Sequence, residues 1–227
     1  MREIILVTGQ VASGKSVATK RQIVDVKNRN TIIFDINNEQ LYEEFEIIPI
    51  NKVATFLMEN NGNVGRVVPF VKNERMTLDQ IRKMIDKLLT EVNNGIIVLE
   101  SIESYASPKL LEKIRIGNMK QNGKISIVCI FQSITSIPNK LLNDADAVRI
   151  HKEIANIDRY ESVIEKFEIL KIATLIVANK TKEDRYFNCT INGWTTIEGS
   201  FDKADYRNAC VDYMITQQGL HRYSEHF

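Results

Sequence analysis

Residues 7–17 read VTGQVASGKSV and continue the apolar run IILV of residues 4–7. Residues 9–16, GQVASGKS, satisfy the phosphate-loop pattern of glycine, four residues, glycine, lysine and then serine or threonine. The physical requirement is local. A strand delivers the chain to a loop whose backbone N–H groups turn inward, and the helix that follows aims its positive end at the same point. Gly9, Gln10, Val11, Ala12, Ser13, Gly14, Lys15, Ser16 and Val17 are therefore the expected cradle for a nucleotide's phosphates. Gly14 has no Cβ to obstruct that approach. Lys15 is placed to meet the β and γ phosphates, and the Ser16 hydroxyl to ligate the Mg2+ bound to them. The bland alternative is a strand-to-helix turn with a solvated lysine, but the flanking sequence also has the context the motif demands.

With 227 residues the chain suits one α/β domain with appendages and is long enough to bury a sizeable core. Its three cysteines, Cys129, Cys189 and Cys210, are too few and too scattered for a disulfide framework or a zinc site, which makes a reducing cytoplasm the expected compartment. The net charge of +1 gives no overall basic field. Any DNA contact must then come from a local patch or from a surface assembled by several subunits. No apolar run approaches the ~18 residues of a membrane span, and the N-terminal run is strand-like and taken up by the loop, so a soluble, non-spanning protein is expected.

Along the chain, GKSVATKRQIVDVKNRN carries a first helix and TIIFDI a second short strand with Asp35 at its end. Residues 41–61 permit one or two helices interrupted around Pro49, and RVVPFV is strand-like, with Pro69 arguing for an edge or an insertion. Thr77 and Gln80 have capping-box spacing ahead of the apolar face Leu78, Ile81, Ile85, Leu88, Leu89 and Val92. GIIVLES is a continuously apolar strand that exits at Glu100, as a parallel strand covered on both faces does. Ser107 and Pro108 open a helix with Leu110, Leu111, Ile114 and Met119 inside. KISIVCIFQ is a further strand with Gln132 at its tip, and DAVRIHK a shorter one around residue 148. A helix centred on residues 160–167 follows. LKIATLIVANKTKEDRYFNCTING then reads as two strands around a charged turn, an antiparallel hairpin at the sheet edge. The expectation is a doubly wound, mostly parallel α/β sheet in a single domain, residues 1–227, with its core at about 3–170 and the hairpin and appendage at about 171–227.

A nucleotide-hydrolysing site needs a carboxylate for the magnesium shell and a group that orients or deprotonates water. Glu100, closing IIVLE, is the candidate for the Walker B acid. Glu39, in FDINNE, and Glu103, one turn beyond Glu100, compete for the water-activating role, with Glu39 favoured and solvated charge as the alternative for each. Gln132 stands where an amide can sense the γ-phosphate or hold water. ANK at residues 178–180 fails as a guanine-specificity motif because Lys182 stands where aspartate is required.

The set GQVASGKSV, IIFDINNE, IIVLES and IVCIFQS followed by AVRIHK resembles the FtsK/HerA superfamily of P-loop ATPases, and the length resembles its viral genome-packaging branch. The resemblance spans about residues 3–170 and implies a RecA/FtsK-like sheet in which an additional strand separates the phosphate loop from the Walker B strand. It also implies ATP and Mg2+ as ligands, a homo-oligomeric ring, hexameric in form, that threads DNA, and a place in the host cytoplasm at a virion vertex or membrane protein. By that resemblance Lys15 and Ser16 serve nucleotide and metal, Glu100 the Walker B position and Gln132 the sensor position. An arginine from the neighbouring subunit completes such sites, with Arg115 first and Arg149 second in order of preference. One departure stands out: Glu100-Ser101 replaces the family's Asp-Glu. Arg66, Lys72 and Arg75, in GNVGRVVPFVKNER, are candidate pore-lining cations in an insertion, with a solvated loop as the equal alternative. Two other classes share the loop, a small phosphotransferase and an ATP-switched adaptor. No arginine-rich lid after Gln132 supports the first.

Overall fold

A computed structural model describes residues 2–59, 61–71, 74–92, 94–116, 124–153 and 155–224. Strand β1 (Arg2–Thr8) runs into the phosphate loop, and α1 (Lys15–Val24) leaves it. There follow β2 (Thr31–Phe34), β3 (Glu46–Ile47), α2 (Val53–Met58), β4 (Val64–Val67), the short pair β5 (Phe70–Val71) and β6 (Glu74–Arg75), and α3 (Leu78–Glu91). The second half holds β7 (Gly95–Leu99), α4 (Pro108–Ile116), β8 (Ile125–Ile130), α5 (Asn139–Asn143), β9 (Ala147–Ile150), α6 (Phe167–Lys180), β10 (Cys189–Asn192), β11 (Thr196–Gly199) and α7 (Lys203–Ser224).

Nine of these strands form one sheet in the order β11-β10-β9-β1-β8-β7-β2-β4-β3. Every pairing from β9 to β3 is parallel, whereas β10 runs antiparallel to both β9 and β11. The additional strand is β8, lying between β1 and β7. Burial on both faces explains why β7 and β8 read as unbroken apolar runs. Leu6, Phe34, Ile97, Leu99, Ile127 and Val148 build one face with Ile81, Ile85 and Leu88 of α3, Ile114 of α4 and Ala173 and Ile176 of α6. The alternate residues Val7, Ile33, Ile96, Val98, Val128 and Ile130 build the other under Ile23 of α1 and Tyr42. Both faces are covered, the doubly wound arrangement.

Three expectations are corrected. LKIATLIVANK is helix α6, not the first strand of the hairpin. Its apolar residues run all round because the sheet covers one side and α7 packs on another, which hides the helical period. The hairpin exists one segment later, as β10 and β11, with Gly193 (φ 51°) and Trp194 (φ 57°) in its turn. The helix centred on residues 160–167 is a 3-10 turn at Asp158–Tyr160, and α6 starts only at Phe167, crossing residue 170. Strand β4 is internal, between β2 and β3, because Pro69 falls two residues beyond its end and costs the ladder nothing. The capping box at Thr77 and Gln80 forms as expected, whereas Leu78 stays exposed. Met119 lies outside the described residues.

Candidate active site

The carboxyl ends of β1, β7 and β8 converge on a cavity of about 220 Å³ lined by Val11, Ala12, Lys15, Ser16, Glu39, Glu100, Ser101, Ile130, Phe131 and Gln132. Four of the nine loop residues line it. The others build the loop. Gly9 (φ 144°) lies so close to the end of β9 that a Cβ there would stand 2.7 Å from His151 Cβ and 3.0 Å from the Lys152 carbonyl. Gln10 donates its N–H to the same carbonyl at 2.8 Å, and His151 Nδ1 lies 3.2 Å from the Ser13 carbonyl. The loop is thus tied to β9 at two points. Gly14 adopts the left-handed conformation (φ 85°) at the start of α1. A Cβ on Gly14 would meet the Tyr186 ring at 2.9 Å, so this glycine makes room for an aromatic neighbour. Val17 is exposed on α1, away from the cavity.

The Lys15 ammonium donates to the carbonyls of Gly9 (2.6 Å) and Gln10 (2.9 Å). Burial pulls its pKa down, and Glu100, Glu103 and Glu153 push it back up. Glu100 is 2% exposed. Its Oε1 accepts from the Tyr42 hydroxyl and its Oε2 from Ser16 Oγ at 3.3 Å. Burial pushes the Glu100 pKa up to about 7; the Tyr42 and Ser16 hydrogen bonds oppose that rise and the nearby Glu39 and Asp35 charges add to it. Ser101, the next residue, sits at φ 47°, which turns the chain out of β7 just past the acid. Ser16 Oγ and Glu100 are hard oxygen donors beside Lys15, the ligand chemistry Mg2+ takes, so the residues fit that ion.

Glu39 reaches the cavity from the turn after β2. Both oxygens of the buried Asp35 accept its N–H at 3.0 Å, and Asn37 Nδ2 donates to its Oε1 at 3.4 Å. Arg66 NH1 in turn holds Asp35 at 3.2 Å and the Asn38 side chain at 2.9 Å. Glu103 stands behind the cavity, with Oε1 accepting the Gln132 N–H at 3.2 Å and Oε2 buried without a hydrogen-bond partner among the described residues. Burial raises the Glu103 pKa. The Gln132 side chain is exposed at the cavity mouth.

The arginines distribute differently from expectation. Arg66 is buried in β4 and pairs with Asp35, so it does not face DNA as part of an exposed insertion. Arg75 is exposed on β6, and Lys72 lies outside the described residues. Arg149 is 8% exposed within its own sheet beside Thr190, which removes it as an arm reaching a neighbouring subunit. Arg115 lies on the surface, bound to Glu112 of its own helix (2.6 and 2.9 Å) and to Asp144 at the end of α5 (2.6 Å). It takes no part in the cavity of its own chain.

Sequence reasoning missed Tyr42, which bonds Glu100, His151, which lies against the Ser13 carbonyl, and Tyr186, which packs on Gly14. Each is an ordinary residue that topology brings to the loop from a distance, and no local motif marks it.

No protein-family model matches the chain and no curated protein matches it. Among solved structures it is similar to the genome packaging NTPase B204 from Sulfolobus turreted icosahedral virus 2. In complex with AMPPCP the TM-score is 0.57 at 14% identity, over 87% of this chain and 96% of that one. In complex with ATP-gammaS the values are 0.56 and 15%, over the same shares. B204, the DNA-packaging ATPase from Sulfolobus turreted icosahedral virus, gives 0.52 and 13% over 86% and 95%. The chain has the P-loop NTPase fold of these viral proteins, the fold that the FtsK/HerA resemblance implied.

Proposed function

We propose that this chain is an ATP-hydrolysing nucleic-acid translocase, a phage genome-packaging motor that works as a homo-oligomeric, hexameric ring threading DNA. The observation that carries the reading is the meeting of Ser16 and Glu100, 3.3 Å apart and remote in sequence, beside the Lys15 ammonium at a cavity on the carboxyl edge of the sheet. The loop amides and Lys15 hold the β and γ phosphates. Ser16 and Glu100 would hold Mg2+, which when bound supplies positive charge against the phosphate oxygens. Glu39, fixed by Asp35, accepts the proton of the attacking water. Gln132 at the mouth orients that water or senses the γ-phosphate, and the buried apolar walls of Ile130 and Phe131 exclude bulk solvent.

Among the described residues no helix is long and apolar enough to cross a membrane. In this reading the motor works in the host cytoplasm and docks on a virion vertex or membrane protein. Arg75 and Lys72 are the cations left in the insertion to meet DNA phosphates without reading sequence.

The test compares ATP turnover with and without long DNA, on protein sized by light scattering. A DNA-stimulated oligomer supports the reading; a DNA-indifferent monomer that phosphorylates a nucleoside defeats it. Lys15→Ala is expected to abolish turnover and weaken ATP binding. Glu100→Gln is expected to keep binding while turnover falls by roughly 100-fold or more. Full activity in the second variant would clear Glu100 of any role.

A further inference from the structure

We propose that Tyr186, flanked by Arg185, is the platform on which the base of the bound nucleotide stacks, so that the loop between α6 and β10 forms the nucleoside half of the site. The inference rests on the nucleotide-binding reading and extends it to a part of the molecule that the phosphate-loop motif does not reach.

Large aromatic side chains left in water usually move freely or cover something. Tyr186 is 58% exposed, yet both polar groups of its backbone are hydrogen-bonded. Its N–H donates to Asp184 Oδ1 at 2.9 Å, its carbonyl accepts from Asn188 Nδ2 at 3.3 Å, and the next residue, Phe187, is buried. On one side the ring meets Gly14, where a Cβ would come within 2.9 Å of Tyr186 Cδ1. The Arg185 guanidinium lies 5.5 Å from the ring centroid. A held, half-exposed ring with a cation nearby loses little freedom when a planar group settles on it.

The sheet order says which planar group arrives. Glu100 follows β7, two strands from β1 on one side, and Tyr186 precedes β10, two strands from β1 on the other. Because β10 is antiparallel to β9, with Cys189 opposite Ile150, residues 181–188 reach the same carboxyl edge as the phosphate loop. Four strand spacings of about 4.8 Å separate β7 from β10, roughly 19 Å, which is on the order of the length of an extended nucleoside triphosphate. A triphosphate with its γ end toward Glu100 and its chain across the start of α1 therefore brings its base to the Tyr186 side. A flat ring offers no edge to read, so the platform accepts purines without discriminating between them.

Equilibrium binding of ATP, GTP and inorganic tripolyphosphate to the 227-residue chain tests this. Tyr186→Ala is expected to raise the Kd of ATP and of GTP by roughly 5- to 100-fold, with tripolyphosphate unchanged within about twofold. Tyr186→Phe should bind all three as the parent does. If Tyr186→Ala weakens tripolyphosphate as much as ATP, the ring merely props up Gly14 and the proposal falls, as it does if ATP affinity is untouched. Failure of the nucleotide-binding reading looks different, since the parent protein would then bind neither ATP nor tripolyphosphate and both ideas would go together.

Discussion

Glu100 sits among opposing influences that a titration separates. Its folded pKa of about 7 lies above its ordinary 4.5, so between those values the native chain binds more protons than the unfolded one. The sign follows: the contribution of this group to stability is whole below about pH 4.5 and is lost as pH rises through about 7. His151 acts the other way, since burial pulls its pKa down to about 4 from 6.5 and acid must charge a buried ring. Comparing variants isolates Glu100. In nucleotide-free and metal-free buffer, Glu100→Gln is expected to match the parent near pH 4.5 and to exceed its stability by up to about 3 kcal/mol above pH 7.5. Parallel melting curves across that range would show that burial does not disfavour the charge. The same imbalance bears on chemistry, because a carboxylate that is costly while unpaired gains most from a cation beside it.

At the scale of elements, the turn after β2 is set from behind by a buried ion pair. Asp35 spends both oxygens on the Glu39 N–H and takes its charge balance from Arg66 of β4, so a strand two residues short of Pro69 fixes the angle at which an acid enters the cavity. Removing one partner of such a pair strands the other. Arg66→Ala is expected to lower Tm by roughly 6–12 °C, the equivalent of about 3 kcal/mol in a domain of this size, and to slow turnover by displacing Glu39. A variant that melts like the parent but loses DNA affinity would return Arg66 to the nucleic-acid surface. This pair also marks where sequence reading stops. The phosphate loop is contiguous, and β7 and β8 are apolar end to end because helices cover both their faces, so Lys15, Ser16, Glu100 and Gln132 could be placed from local pattern alone. Arg66 could not, because nothing near it in sequence distinguishes a cation facing solvent from one facing Asp35 across two parallel strands. Helix α6 was hidden for a related reason: α7 covers the face that would otherwise have been polar.

At the scale of the whole molecule, Lys15 is the one cation among the described residues that line the candidate cavity, and no positive group stands opposite it there. A phosphoryl-transfer site gains by having one there, and in the proposed ring the next subunit would supply it. Arg115 suits that task by position. It is on the surface, and both of its carboxylate partners, Glu112 and Asp144, are themselves partly exposed, so exchanging them for phosphate oxygens needs no rearrangement of the core. Such surface pairs contribute little to folding, and Arg115→Ala should melt close to the parent. Its turnover should nevertheless collapse. Mixing inactive Arg115→Ala subunits with inactive Lys15→Ala subunits then places an intact loop beside an intact arginine at about a quarter of the junctions of a randomly assembled ring, and activity should return in that proportion. Full turnover by a pure Arg115→Ala ring would exclude this arginine. A dead mixture made from two well-folded, co-assembling variants would exclude action between subunits through Arg115.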